Sequence, residues 1–165
     1  LYSERYFLLT HRRPELEGRG EMSWAEAAAL PLCLLTPDMQ NRRIADAAFH
    51  MVGHKVAPMV ETNSIINIFT IVQHGPWSSI VPGQLLALMP LPGDLIAFPL
   101  VMPDVTYVVG IVYADRSPVV PAAKALAAVA AADKLASKIP QMVRDSLARH
   151  GVAWAPPRST PSGGG

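Results

Sequence analysis

Two clusters of hydroxyl and amide side chains stand where short apolar runs give way to helical patterns: Thr36 with Gln40 and Asn41, and Thr62 with Asn63 and Ser64. Such side chains are poor nucleophiles and poor acids at neutral pH; they donate and accept hydrogen bonds. At a helix start they sit beside backbone N–H groups without intrahelical acceptors and at the positive end of the macrodipole, which suits an anion. Thr36, Thr62, Asn63 and Ser64 also have a purely local use, as helix caps. Arg42 and Arg43 at a helix start oppose the macrodipole, which indicates either an anion nearby or a solvated pair of arginines.

Other reactive residue types carry less. His50, His54 and His74 lack the one-face spacing of a metal site and read as surface or packing residues. Cys33 is the single cysteine, so no intramolecular disulfide exists, and its apolar neighbours make it an inert core thiol; a reducing, cytoplasmic setting fits. Trp24 and Trp77 read as packing residues. No nucleophile–base constellation, P-loop or dinucleotide fingerprint is present, so neither an enzyme nor a cofactor is expected.

The elements that must hold these clusters alternate between strand and helix. A strand over 6–10 runs into a polar loop or crossover over 11–20. Ser23-Trp24-Ala25-Glu26 is a capping-box pattern and starts a short helix ending at Pro31. Leu32-Cys33-Leu34-Leu35 is a buried-strand run. The spacing predicts a helix over 39–52, with Ile44, Ala47, Ala48 and Met51 on one face and Gly53 where a C-cap glycine belongs.

A second strand is expected over 56–60 and a helix over 65–74, closed by Gly75-Pro76. Strands over 79–82, 95–100 and 105–113 follow, the last being the longest β-rich run. An alanine-rich helix is expected over 118–132 with Pro121 tolerated in its first turn; its pattern continues over 133–139 until Pro140 interrupts it. An amphipathic piece over 141–150 stops at Gly151, and 156–165 has nothing to bury and reads as disordered. Short strands alternating with helices predict an open α/β sheet of βαβ units, whose ligands settle at the carboxyl ends of strands. The strands before Thr36 and Thr62 then share a sheet, and their loops face one cleft.

Composition bounds the rest. The chain has 165 residues, enough for one domain; half are apolar and 16% are charged, which excludes a disordered chain. A net charge of +1 gives no electrostatic footprint for nucleic acid. No apolar run approaches the ~18 residues that span a bilayer, and the alanine-rich run carries too few charges to favour a lipid surface, so no membrane partner is expected.

Several pieces, taken in order, carry a resemblance. They are Leu1-Tyr2-Ser3-Glu4-Arg5-Tyr6 with its strand, Pro31-Leu32-Cys33-Leu34-Leu35 with a helix ending near Gly53, and Val60-Glu61-Thr62-Asn63-Ser64 with Ile80-Val81-Pro82 beyond. Tyr107-Val108-Val109-Gly110-Ile111-Val112 and Arg116-Ser117-Pro118-Val119-Val120-Pro121-Ala122-Ala123 follow. Over about residues 1–130 this order is similar to the second half of the effector domain of a LysR-type transcriptional regulator.

The resemblance implies a type 2 periplasmic-binding-protein-like fold, an α/β open sheet with one complete subdomain and part of another. Residues 1–20 would end subdomain I and hold the first crossover, 21–102 would form subdomain II, and 103–132 would return to subdomain I. Residues 133–155 would be a helical extension and 156–165 a tail. The resemblance places effector contacts on Thr36, Gln40, Asn41, Thr62, Asn63 and Ser64, with a small anion, such as a simple carboxylate, as the effector. The family's other effector contacts, and the helix-turn-helix through which alone DNA would be bound, are expected upstream of Leu1. A homo-oligomer is implied too. A periplasmic solute-binding protein shares the architecture, but the pattern over 118–132 and the short second subdomain speak against it.

Overall fold

Tyr6, Phe7, Leu8, Leu9 and Thr10 are buried in succession, a pattern that only a strand covered on both faces can satisfy. In the computed structural model, which describes residues 1–112, 114, 120–132 and 135–154, they form the middle of strand β1 (Tyr2–His11). Successive side chains of a strand point to opposite faces. Tyr6 accordingly packs on Trp24, and Phe7 meets Trp154 edge-on at 5.3 Å between ring centroids.

A main sheet gathers around β1. Its neighbours are β5 (Ser79–Pro82) and β6 (Leu95–Val101), both antiparallel, with Leu8 opposite Ile80 on one side and Phe98 on the other. β2 (Met22–Ser23) adds a parallel edge to β6. At its other end β1 pairs antiparallel with β7 (Thr106–Val109), the fifth strand of this sheet, with Ser3 opposite Val108. β3 (Cys33–Leu35) and β4 (Val60–Thr62) form a parallel pair, joined to the start of β5 by a parallel bridge between Leu32 and Ser78.

Helices cover both faces. α1 (Trp24–Ala28) and α2 (Gln40–Met51) bring Trp24 and Phe49 together, edge to face at 5.2 Å. The Trp24 Nε1–H donates to the Pro103 carbonyl at 3.1 Å, which makes this residue a packing anchor, as expected. α3 (Ile65–His74) buries Ile68, Phe69 and Val72. On the far face, α4 (Gly83–Leu88) packs against α6 (Leu135–Arg149), which also rests on β1 through Val143 and Leu147. α5 (Pro121–Ala132) leaves Leu126 and Val129 exposed.

Local chemistry explains the boundaries. The capping box at Ser23 is complete: the Glu26 N–H donates to the Ser23 hydroxyl oxygen, and the Ser23 N–H donates to the Glu26 carboxylate at 2.8 Å. Those bonds and Arg19 pull the Glu26 carboxyl down to about 2. Gly53 has φ 78°, the left-handed conformation that ends α2.

Several expectations need correction. β1 spans ten residues, extended on the Tyr2 side by its ladder to β7. The strand expected over 56–60 forms at Val60–Thr62, where it meets β3. Among the described residues, the run over 105–113 keeps strand pairing only at Thr106–Val109. The helix expected from 118 starts at Pro121, residues 115–119 lying outside those described. Pro140 lies within α6 rather than between two helices. The helix Gly83–Leu88, preceded by a proline and opened by a glycine, has no sequence signal of its own. The fold is α/β as expected, and β3–α2–β4 is a parallel βαβ unit, but the main sheet is largely antiparallel because β1 runs against both neighbours. The tail expected over 156–165 lies outside the described residues.

Candidate functional site

The parallel pairing of β3 and β4 ends with both strands delivering a helix from the same sheet edge. Leu35 lies opposite Thr62, and the Thr36 N–H continues the ladder by donating to the Thr62 carbonyl at 3.0 Å. The loops entering α2 and α3 therefore stand side by side, as their shared sheet required.

Each expected residue has a definite place. The Thr36 hydroxyl is buried and has no hydrogen-bond partner among the described residues. α2 begins without a side-chain cap, its Ncap being Met39, so Gln40 is an exposed first-turn residue and not a cap. The Asn41 side-chain carbonyl accepts from the Tyr6 phenol at 3.0 Å, which turns the amide nitrogen away from Tyr6 as a donor. Thr62 and Ser64 are engaged locally: the Ser64 N–H donates to the Thr62 hydroxyl oxygen at 3.2 Å, and the Ser64 oxygen caps α3 by accepting from the Asn67 N–H. Asn63 is exposed.

The sequence reading missed one neighbour, Tyr6, and read another, Arg42, as facing an anion or solvent. Tyr6, in an otherwise apolar run, fixes the orientation of Asn41. Arg42 is 7% exposed and not solvated as a pair with Arg43, which alone is exposed. Its guanidinium donates to the Leu35 carbonyl at 2.7 Å, to both oxygens of Asp46 and to Glu61. Burial works against its charge, but hydrogen bonds and charges from Glu61 and Asp46 outweigh that and raise its pKa. Arg42 thus ties β3, β4 and α2 into one rigid edge. The Arg42-x-x-x-Asp46 spacing, one helical turn apart, was the signal for it.

The arrangement can hold, and cannot readily transform, a small ligand. It offers N–H donors of an uncapped helix start, an oriented amide and a spare hydroxyl, with no acid–base pair beside them. Arg42 is committed to two carboxylates, so it does not supply a free cation here. Among the described residues no group of His, Cys, Asp and Glu is placed to hold a metal ion, and no helix is long and apolar enough to cross a membrane.

A comparison of the sequence with curated proteins finds no match. Solved structures do share the fold. The Corynebacterium glutamicum OxyR C206 mutant superposes over 93% of this chain and 46% of its own, with a TM-score of 0.64 and 16% identity. The reduced OxyR regulatory domain from Pseudomonas aeruginosa covers 64% of this chain and 51% of its own, with a TM-score of 0.52 and 19% identity. Full-length CbnR in complex with its target DNA covers 64% of this chain and 37% of its own, with a TM-score of 0.55 and 19% identity. The present chain thus spans between 37% and 51% of the length of these three proteins. At such identities the likeness concerns the fold alone. The sequence itself matches the model of the LysR substrate binding domain over residues 1–134, most of its length. With that match and the shared fold, the chain belongs to the LysR substrate binding domain family.

Proposed function

We propose that this chain is the effector-sensing part of a DNA-binding transcriptional regulator, and that the loops following β3 and β4 supply its share of the effector site. The Thr36–Thr62 backbone hydrogen bond carries the reading, because it sets two helix-entry loops beside each other at one sheet edge. The effector is a small anion, most simply a carboxylate, held by N–H groups at the start of α2, by Gln40, Asn41 and Asn63, and by the hydroxyls of Thr36, Thr62 and Ser64. In this reading 1–20 and 103–132 belong to subdomain I and 21–102 to subdomain II, with 133–155 an extension and 156–165 a tail. The chain acts by binding and not by catalysis, in a cytoplasmic homo-oligomer that reaches DNA through another domain.

The test is calorimetric titration of the chain with a panel of simple carboxylates. Ser64→Ala removes a helix cap as well as a ligand contact, so Thr36→Val and Asn63→Ala are the cleaner variants. Each should weaken the binding carboxylate by about 0.5–2 kcal/mol, the scale of one hydrogen bond. Affinity unchanged in both variants, or crystals soaked in carboxylate with density only elsewhere, would overturn the assignment.

A further inference from the structure

The loop over 12–20 leaves β1 at the end of the main sheet opposite the Thr36 loop. Leu9 faces Ser79 while Tyr6 faces Pro82, and Leu32 bridges to Ser78; β3 therefore starts at the Thr10 end and carries Thr36 towards Tyr6. Between this loop and α1 lies a cavity of about 410 Å³, a size typical of small-molecule sites. Leu16, Met22, Ala29 and Leu30 give it an apolar lining.

Four charged side chains also line it, and they fall into two kinds. Arg19 and Glu26 are already paired at 2.6 Å, and Glu26 is further held by the Ser23 N–H and hydroxyl. Arg13 and Glu15 make no ion pair or side-chain hydrogen bond among the described residues, although both line the cavity and Arg13 is half-buried. They flank Pro14, whose ring fixes the backbone at the start of the single 3-10 turn Pro14–Leu16. The turn thus presents one unmatched cation, one unmatched anion and one apolar side chain to the same space. The Thr10 hydroxyl, the remaining polar group, is satisfied by Ser78 at 2.8 Å.

We propose that this cavity is a second ligand site, distinct from the Thr36 loop, and that it takes an apolar α-amino acid. A zwitterion answers both unmatched charges at once: its carboxylate accepts from the Arg13 guanidinium and its ammonium donates to Glu15. The pocket's four charges sum to zero, so a ligand of zero net charge leaves none uncompensated. The side chain of the ligand covers Leu16, Met22, Ala29 and Leu30.

The experiment titrates the chain with L-leucine, L-methionine and L-phenylalanine by calorimetry, and then with two analogues that keep the isobutyl side chain of leucine. 4-Methylpentanoate lacks the ammonium and 3-methylbutylamine lacks the carboxylate. At least one amino acid should bind at millimolar concentration or below. For leucine, each analogue should bind at least about tenfold more weakly, since each forfeits a charge-assisted hydrogen bond. Arg13→Gln should weaken the amino acid by a similar factor, and Glu15→Gln should erase the preference for leucine over 4-methylpentanoate. Both positions are on the surface turn, so circular dichroism should show the fold unchanged. Thr36→Val should leave amino-acid affinity alone. Binding of none of the three, or binding indifferent to both turn variants, would overturn the site. Binding lost in Thr36→Val but kept in Arg13→Gln would place the ligand at the first site and overturn it equally.

Discussion

The hydroxyl of Thr36 is the residue on which stability and binding pull in opposite directions. It is buried and has no partner among the described residues, and a polar group in that state costs the fold its desolvation. Thr36→Val keeps the shape and removes the hydroxyl, so the ligand-free chain should gain up to about 1 kcal/mol in urea unfolding while losing effector affinity. A variant less stable than the parent would show that the hydroxyl has a partner within the fold. Glu4 offers a second test. The residue is 6% exposed, and burial raises its pKa despite hydrogen bonds from the N–H groups of Arg5 and Gln84 and from the Tyr2 phenol. Because the folded value lies above the ordinary 4.5, the stability Glu4 contributes is complete below that pH and is lost as pH rises through the raised value. Relative to Glu4→Gln, the parent should therefore lose stability as the pH rises above 4.5, measured by denaturant midpoints; parallel profiles would refute this. The sequence showed hydroxyls and amides at helix starts, a local pattern. It concealed the Tyr6–Asn41 and Arg42–Glu61 contacts, since residues 35 and 19 positions apart meet only through strand pairing.

At the scale of elements, α6 carries the clearest energetic commitment. Val143, Leu147 and Val152 are buried, and Trp154 meets Phe7, so the segment after α5 completes the face of the main sheet that α4 alone leaves open. Gly83 marks how closely that face is packed: a methyl group there would lie 2.9 Å from the Phe7 ring. Leu147→Ala should destabilise the chain by about 2–5 kcal/mol, the range for truncating a buried leucine, in chemical denaturation. A cost below 1 kcal/mol would mean that α6 docks weakly. Elements with strong local signals were legible beforehand, among them the capping box at Ser23, the Gly53 stop and the helix Ile65–His74. Those set by partners were not. β4 starts at Val60 because Cys33 is there to receive it, and Pro140 stays inside α6 because tertiary packing offsets its lost hydrogen bond.

For the whole molecule, the β7–α5 region has a different character from the rest. Val108 is 83% exposed, Val112 97%, Leu126 60% and Val129 64%, while β7 has one described strand partner, β1. An unpaired strand edge beside exposed aliphatic side chains favours pairing with another chain. Light scattering should find self-association, most simply a symmetric dimer; a stable monomer at tens of micromolar would refute it. A charge of +1 should meanwhile keep this chain from footprinting an operator at physiological salt.

β1 also governs how the chain comes to its structure. It precedes all of its strand partners, which begin at Ser79 and end at Val109, so every one of its ladders closes a loop of about 70 residues or more. β3, α2 and β4 meet over far shorter separations and can assemble while β1 still waits. Non-local pairing of this kind places folding at the slow end for a chain of its size, on the millisecond-to-second scale. During synthesis the apolar stretch from Tyr6 to Leu9 emerges before any of its strand partners and must wait for them, so its exposure to other chains is prolonged where its burial is eventually most complete.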